Sequence, residues 1–463
     1  MSSVFIREVE TELPLLGLRR LPFAPDVATD SPVTILIGRN GSGKSSLLRD
    51  LALFLQAYYY ERPRVQWQKA RLQRLIVDSD GRRDEIFDSG ARLGLRGSVD
   101  PFLGRGDGPR KIIALSFTPF DRFPPGDNHR IPREQFLPNI PEAQYVYLGF
   151  RGGVRMSPRH LLLQSIDQLA FSASRPVQDR RVVDVLAAIG YHPVLNIDYH
   201  VNRLDKVLEA RHLDRPRIER MLESIQPLLS AGHTRSHGVL SYRFDFEQGA
   251  ADNSNFNRVE YATIRELVHA NVLQMASVTL RKITGGEVRL LELSSGELNL
   301  LCGFLGLAAH LEAACVVLID EPENSLHPEW QLRYVQMLAA VMSSHPGCHY
   351  VVATHSPMIV SGFAGRGCAV LRLDDEQVVV EEAAVANVSP DAALLGAFNV
   401  LTPENSFLKQ LVLEAVTLIE QGRQKGERAQ QVARFLLKFQ EDIPKDDRLH
   451  NLVASICLAI IDQ

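Results

Sequence analysis

Apolar positions recur at two spacings along this chain, and the change of spacing marks its elements. Between Val33 and Gln56 an apolar run, Thr34 to Ile37, meets a glycine-rich turn; Leu47, Leu48, Leu51, Phe54 and Leu55 then follow at helical spacing. Strand, turn and helix are predicted in that order. Largely apolar runs at Val316 to Asp320, His349 to Thr354 and Cys368 to Leu373 read as buried parallel strands, because a strand covered on both faces needs no polar side. Helical patterns alternate with these runs from Glu287 to Leu373, which predicts an α/β core with a mixed or parallel sheet. Residues 62–111 are glycine-rich and basic and read as a variable β lobe, ending in the strand-like KIIALSFTP of Lys111 to Pro119. From Arg159 to Val278 the spacing reads as mostly helical, interrupted by SAGHTRSHG. After Pro390 only helical patterns occur, at Glu404 to Gln421, Glu427 to Glu441 and Asp447 to Ile461. The expected organisation is an N-terminal lobe over 1–158, an inserted mainly helical subdomain over 159–280, a C-terminal lobe over 281–389 and a helical region over 390–463.

Composition narrows the partners more than the fold. A net charge of -4 and a pI near 6.4 argue against a strongly basic nucleic-acid binder while leaving room for a local basic face. The five cysteines are scattered without a C-x-x-C pair, so they read as buried thiols rather than a disulfide framework or a zinc hook. No run of about 18 apolar residues occurs, and the N-terminus has early acids and no apolar core, so a cytoplasmic chain without a membrane partner is expected.

The turn after the first core strand is Gly38-Arg39-Asn40-Gly41-Ser42-Gly43-Lys44-Ser45, with Ser46 next. It satisfies G-x-x-x-x-G-K-S in the strand-to-helix context that this motif needs. Glycines let backbone N–H groups turn toward phosphate oxygens, and the helix N-terminus adds positive partial charge. Lys44 is expected to reach the β and γ phosphates of ATP and Ser45 to hold Mg²⁺.

Three later segments decide among phosphate-loop proteins. Leu293-Ser294-Ser295-Gly296-Glu297 resembles the ABC signature, with Ser295 in place of its first glycine. The same residues would also make an ordinary helix start, Ser294 and Glu297 forming a capping box. Val316 to Glu321, four apolar residues closed by Asp320 and Glu321, resembles a Walker B strand. Asp320 would serve the Mg²⁺ shell, and Glu321 would orient the attacking water. Pro322 to Pro328 resembles a D-loop, and Ala353-Thr354-His355-Ser356 an H-loop in which His355 faces the γ-phosphate.

By these motifs, covering Thr34 to Gln56 and Leu293 to Ser356, the chain resembles ABC-type ATPase heads of the branch that holds SMC, RecF and OLD proteins. Its DEPENSLHP and ATHSP segments and short helical tail look most like ATPases of bacterial anti-phage systems such as Septu and PARIS. The resemblance implies ATP and Mg²⁺ as ligands and closure of two heads around ATP, with Ser294 to Glu297 of one chain facing the γ-phosphate held by another. It also implies a homodimer or higher homo-oligomer and a separate effector, a nuclease encoded nearby. The insertion is too short, and too poor in heptads, for SMC arms.

Several constellations stay open or fall away. For the Q-loop, Ser116 and Gln164 are both candidates. Arg62, Arg64, Lys69, Arg71, Arg74, Arg82, Arg83, Arg92, Arg96, Arg105, Arg110 and Lys111 make either a solvated mixed-charge face or a DNA-facing surface, the latter fitting a RecF-like alternative. Arg155 and His160 have ribonuclease-like spacing, but Pro158 would break the helix such a site needs. Asp374, Asp375 and Glu376 are adjacent in a turn, unlike a strand-borne nuclease cluster, so no nuclease site in cis is expected.

Overall fold

A computed structural model describes residues 2–23, 30–60, 71–88, 93–95, 108–118, 121–126, 144–149, 162, 165–166, 175–202, 214–225, 229–230, 239–247, 258–343, 345–363, 368–376, 378–380, 389–402, 405–445 and 447–461. At its centre is a seven-stranded sheet built from β3 (Val33–Ile37), β7 (Lys111–Ser116), β8 (Tyr145–Gly149), β14 (Cys315–Asp320), β15 (His349–Ala353), β16 (Cys368–Arg372) and β17 (Val379–Val380). The order is β17-β16-β3-β15-β14-β7-β8, parallel except for the edge strand β17.

Strand periodicity divides this sheet's side chains between two cores. Val33, Ile35 and Ile37 join Ile113, Leu115, Val317, Ile319 and Val352 on one face. Leu36, Ile112, Ala114, Val316, Leu318 and Val351 face the other way. The second face is covered by helix α1 (Lys44–Tyr59) and by an antiparallel sheet of order β2-β1-β4-β5-β6, comprising β1 (Val4–Leu13), β2 (Gly17–Pro22), β4 (Leu72–Ser79), β5 (Arg82–Asp88) and β6 (Leu93–Leu95). Its strands β4 to β6 fall within residues 62–111, where a β lobe was expected, while β1 and β2 precede that stretch.

The first face receives the helices Arg175–Ile189 (α2), Ser295–His310 and Pro328–Ser343, together with a second antiparallel sheet. That sheet adds strands to the mainly helical reading of 159–280 and corrects it at Leu273 to Val278. It comprises β9 (Tyr191–Val201), β10 (Leu229–Ser230), β11 (Val239–Asp245), β12 (Leu273–Lys282) and β13 (Glu287–Arg289), in the order β10-β11-β9-β12-β13. Helices α3 (Arg215–Ser224) and α4 (Arg258–His269) accompany it. In β9 the inward residues Tyr191, Leu195, Ile197 and Tyr199 do alternate with outward ones. In β12 a bulge between Met275 and Ser277 moves the buried positions to Leu273, Met275, Val278 and Leu280, and the three-residue step imitates a helix.

His349 pins the N-terminal sheet to the core. Its Nδ1 accepts the Ile6 N–H at 2.9 Å, so Nε2 carries the proton and donates to Thr34 Oγ1 at 2.9 Å, while the Thr34 hydroxyl donates to the Phe23 carbonyl. Complete burial, with Arg7 adding, pushes this imidazole down to about 3 from its ordinary 6.5. The unfolded chain therefore takes up a proton here below about pH 6.5 that the folded chain refuses, and stability is lost as pH falls through that window. The loss approaches about 1.4 kcal/mol per pH unit for this group. His349→Gln, which preserves an acceptor and a donor, should flatten the fall in urea midpoint between pH 7 and 5. An unchanged slope would remove His349 as a cause of acid sensitivity.

Beyond the sheet, among the described residues, the helices Ser406–Glu420, Glu427–Phe439 and Arg448–Ile461 lie near the positions expected from their periodicity, and the short helix Pro390–Gly396 precedes them unexpected. Leu408, Leu411, Val432, Leu436, Val453 and Ile456 are among the residues of their own separate core.

Candidate functional site

The phosphate loop occupies the turn between β3 and α1. Gly38, Gly41 and Gly43 have φ of 143°, 84° and 105°, conformations that side chains rarely tolerate. A Cβ on Gly43 would also stand 2.8 Å from Pro14 Cδ. Helix α1 begins with no side-chain cap and no acid in its first turn, so its N-terminal amides are not claimed by the chain's own carboxylates. Lys44 lies over the loop and donates to the carbonyls of Gly38 at 2.8 Å and Arg39 at 3.4 Å. Burial lowers the pKa of its ammonium, although Glu321, Asp320, Glu323 and Asp374 oppose that effect.

The end of β14 brings the acids to this loop. Asp320 is 1% exposed and accepts a 2.9 Å hydrogen bond from Ser45 Oγ. Burial pushes its carboxyl up to about 7, with Glu321 and Asp121 adding to that and the Ser45 hydroxyl and Lys44 opposing it. A buried carboxylate beside a hydroxyl at a helix start fits a hard divalent cation, which would relieve the cost of its charge. The backbone then turns sharply. Glu321 adopts φ 50° and its N–H donates to the Ala353 carbonyl at 2.9 Å, the kind of conformation that persists only when its surroundings over-determine it.

His355, just past β15, places Nε2 3.9 Å from Glu321 Oε1. Burial and then the nearby Lys44 lower its pKa, favouring neutral imidazole. Its position is set by Glu323, whose carboxylate accepts both the His355 N–H and the Thr354 hydroxyl, the latter at 2.8 Å. Lys44, Ser45, Asp320, Glu321 and His355, distant in sequence, thus converge at the carboxyl ends of neighbouring parallel strands, where α/β sheets commonly bind ligands.

Ser294 to Glu297 form the helix start that the alternative reading describes. Ser294 Oγ accepts the Glu297 N–H at 3.2 Å, and the Ser294 N–H donates to Glu297 Oε2 at 3.1 Å. Gly296 abuts the following loop: a Cβ there would stand 2.7 Å from the Ser325 carbonyl oxygen. The side-chain hydrogen bonds described for Ser294 and Glu297 run within the capping box and to Tyr191, not to the phosphate loop.

Sequence reasoning missed several contacts. Asp374, set aside as one of three turn acids, is 3% exposed and accepts the Arg39 N–H at 2.8 Å. Arg122 Nη1 donates to Ser46 Oγ at 2.8 Å, and the neighbouring Asp121 accepts from Tyr147 and from the Phe123 N–H. Only register across parallel strands and loop packing reveal these pairs. Of the Q-loop candidates, Ser116 bonds locally to Thr118 while Gln164 lies outside the described residues, as do Arg155 and His160. In the basic lobe Arg74 pairs with Glu8 and Glu85, Arg83 with Asp78 and Lys111 with Glu312. Arg62, Arg64, Lys69, Arg92, Arg96 and Arg105 lie outside the described residues.

Comparison with known proteins matches part of the chain to one family profile. Residues 168–361 match the family profile of an AAA domain whose description also names the AbiEii toxin and a Type IV TA system. The matched stretch contains Ser294, Asp320, Glu321 and His355 but stops short of the phosphate loop. The chain is 23% identical over 366 residues to the Septu protein PtuA of Bacillus mycoides (strain KBAB4), covering 77% of this chain and 39% of that protein. It therefore spans about two fifths of that relative's length. Among solved structures, an SMC head bound to the C-terminal winged-helix domain of ScpA covers 80% of this chain and 94% of its own at 13% identity and TM-score 0.34. The SMC head domain from Thermotoga maritima covers 79% and 94% at 11% identity and TM-score 0.33. Among the described residues, no helix is long and apolar enough to cross a membrane. Over residues 168–361 the chain is thus similar to AAA-type ATPase domains.

Proposed function

We propose that this chain binds and hydrolyses ATP with Mg²⁺, closes on a second copy of itself around the nucleotide, and thereby regulates a separate effector in bacterial anti-phage defence. The observation that carries the reading is the convergence of the Lys44 ammonium, the Ser45 and Asp320 pair, and the Glu321 and His355 pair at one helix N-terminus. Gly38 to Ser46 would hold the phosphates, with Lys44 as their main cation. Ser45 and Asp320 would hold Mg²⁺, which supplies charge neutralisation during phosphoryl transfer. Glu321 orients the attacking water, and His355 holds that carboxylate in register.

Closure is supported by where the signature segment stands. Ser294 and Gly296 begin a helix whose positive end suits an anion, and the described hydrogen bonds of Ser294 go to Glu297 of the capping box, not to the phosphate loop of their own chain. A second copy would bring such a loop to them. Ser294→Arg should therefore leave ATP binding intact and prevent closure and hydrolysis. Mixing it with Lys44→Ala protein should restore partial ATPase activity, because one composite site in the mixed dimer then has both an intact Lys44 and an intact Ser294. No recovery in verified mixed dimers would argue for self-contained sites.

The defence role is supported by the likeness to the Septu protein PtuA, and the effector we propose is a nuclease encoded nearby. Among the described residues no group of three or more His, Cys, Asp or Glu is arranged to hold a metal ion. The purified chain is expected to hydrolyse ATP and leave DNA and RNA intact; nuclease activity retained by Lys44→Ala would reveal an overlooked active site. A RecF-like DNA role is less supported, since Arg74 and Arg83 are engaged by acids of neighbouring strands.

A further inference from the structure

Parallel register carries β16 past the phosphate loop. Arg372 lies beside Ile37, and the Leu373 N–H donates to the Ile37 carbonyl at 2.9 Å, so the next residue, Asp374, arrives beside Gly38 and Arg39. Its carboxylate is nearly closed to solvent. Oδ2 accepts the Arg39 backbone N–H at 2.8 Å, and Oδ1 accepts Arg372 Nε at 3.2 Å. A Cβ on Gly38 would stand 3.3 Å from Oδ1, so the acid packs directly on the glycine. Burial would raise the pKa of this carboxyl, but the Arg39 N–H and the Arg372 guanidinium outweigh it and hold the group ionised below the usual carboxylate range.

The peptide between Gly38 and Arg39 is thus gripped at both ends of its dipole. Its carbonyl takes the Lys44 ammonium at 2.8 Å, and its N–H gives to Asp374. Gly38, at φ 143°, has the conformational freedom to let this peptide rotate, so opposite charges on its two poles are what fix its orientation. We propose that Asp374 is a positioning residue of the phosphate loop: it locks the Gly38–Arg39 peptide and thereby sets where Lys44 and the loop amides meet a nucleotide's phosphates. This rests on the nucleotide reading above.

The proposal runs against simple electrostatics, which makes it testable. Asp374 is an anion near the phosphate site, so if charge alone mattered, removing it would tighten ATP binding. Asp374→Ala should instead weaken both ATP and ADP binding by at least about 10-fold in calorimetric titration, the scale of losing a charge-assisted hydrogen bond. Turnover at saturating ATP should stay within about 3-fold of wild type, since Glu321 and His355 are untouched. Arg39→Ala keeps the backbone N–H and removes only a side chain that is 82% exposed and 3.3 Å from Oδ2. That variant should lose clearly less ATP affinity than Asp374→Ala, as exposed ion pairs contribute little. Should Asp374→Ala fail to fold, Asp374→Asn, which keeps the shape and one acceptor, should still bind ATP measurably more weakly than wild type.

Equal or tighter ATP binding by the folded Asp374 variants would overturn the proposal. So would an Arg39→Ala loss as large as that of Asp374→Ala, since the side-chain pair rather than the peptide would then be what matters. Lys44→Ala, run alongside, separates the two levels: wild-type affinity there would overturn the nucleotide reading itself, whatever Asp374 does.

Discussion

Lys44→Ala should abolish ATP binding at concentrations that saturate the wild type, an expected loss of at least about 100-fold or roughly 3 kcal/mol, the scale of removing one partner from a buried charge pair. The loss has two parts. The variant lacks the ammonium that faces the phosphates, and it leaves Asp320, Glu321, Glu323 and Asp374 with no lysine among them. The site would then present net negative charge to an anion. Burial already disfavours the charged lysine, so removing it relieves a desolvation cost, and the nucleotide-free variant should melt near the wild-type temperature. Lost affinity with an unchanged melting temperature is the signature to look for, by calorimetric titration and thermal unfolding. Wild-type affinity would count against the phosphate-loop role.

The core motifs were legible in sequence because their chemistry is local. Gly38 to Ser45 lie on one turn, and β14 and β15 are mostly apolar strands, β14 ending in Asp320 with Glu321 next and β15 followed by Thr354. The bulge in β12 hid a strand, because local periodicity presumes regular geometry. Asp374 was visible as an acid but not as a partner of Arg39: 335 residues separate them, and only the pairing of β16 with β3 joins them. Glu323 shows the same limit. Nothing in the run from Asp320 to Pro328 announces that its second glutamate would hold His355 by the backbone. Register and long-range packing are collective properties of the sheet, and single-residue patterns do not carry them.

Glu321→Gln separates hydrolysis from binding at this site. The substitution keeps the shape of the side chain and a backbone that must hold φ 50°, so it adds little strain that the glutamate did not already bear. It removes the carboxylate that would orient and polarise the attacking water, and turnover should fall by at least about 100-fold, within the range that general-base catalysis contributes. It also removes one of the negative charges around Lys44, so ATP affinity should hold or rise. Bound but unhydrolysed ATP should then accumulate the closed form, which sedimentation in the presence of ATP would register as a larger species. His355→Ala offers an internal comparison. His355 Nε2 stands 3.9 Å from Glu321 Oε1, so its loss should lower turnover in the same direction while leaving Glu321 able to act. Near-normal turnover by Glu321→Gln in a single-turnover assay would sink its assignment. If both variants lost ATP binding instead, the pair would belong to the phosphate cradle, and the water would have to be oriented from elsewhere.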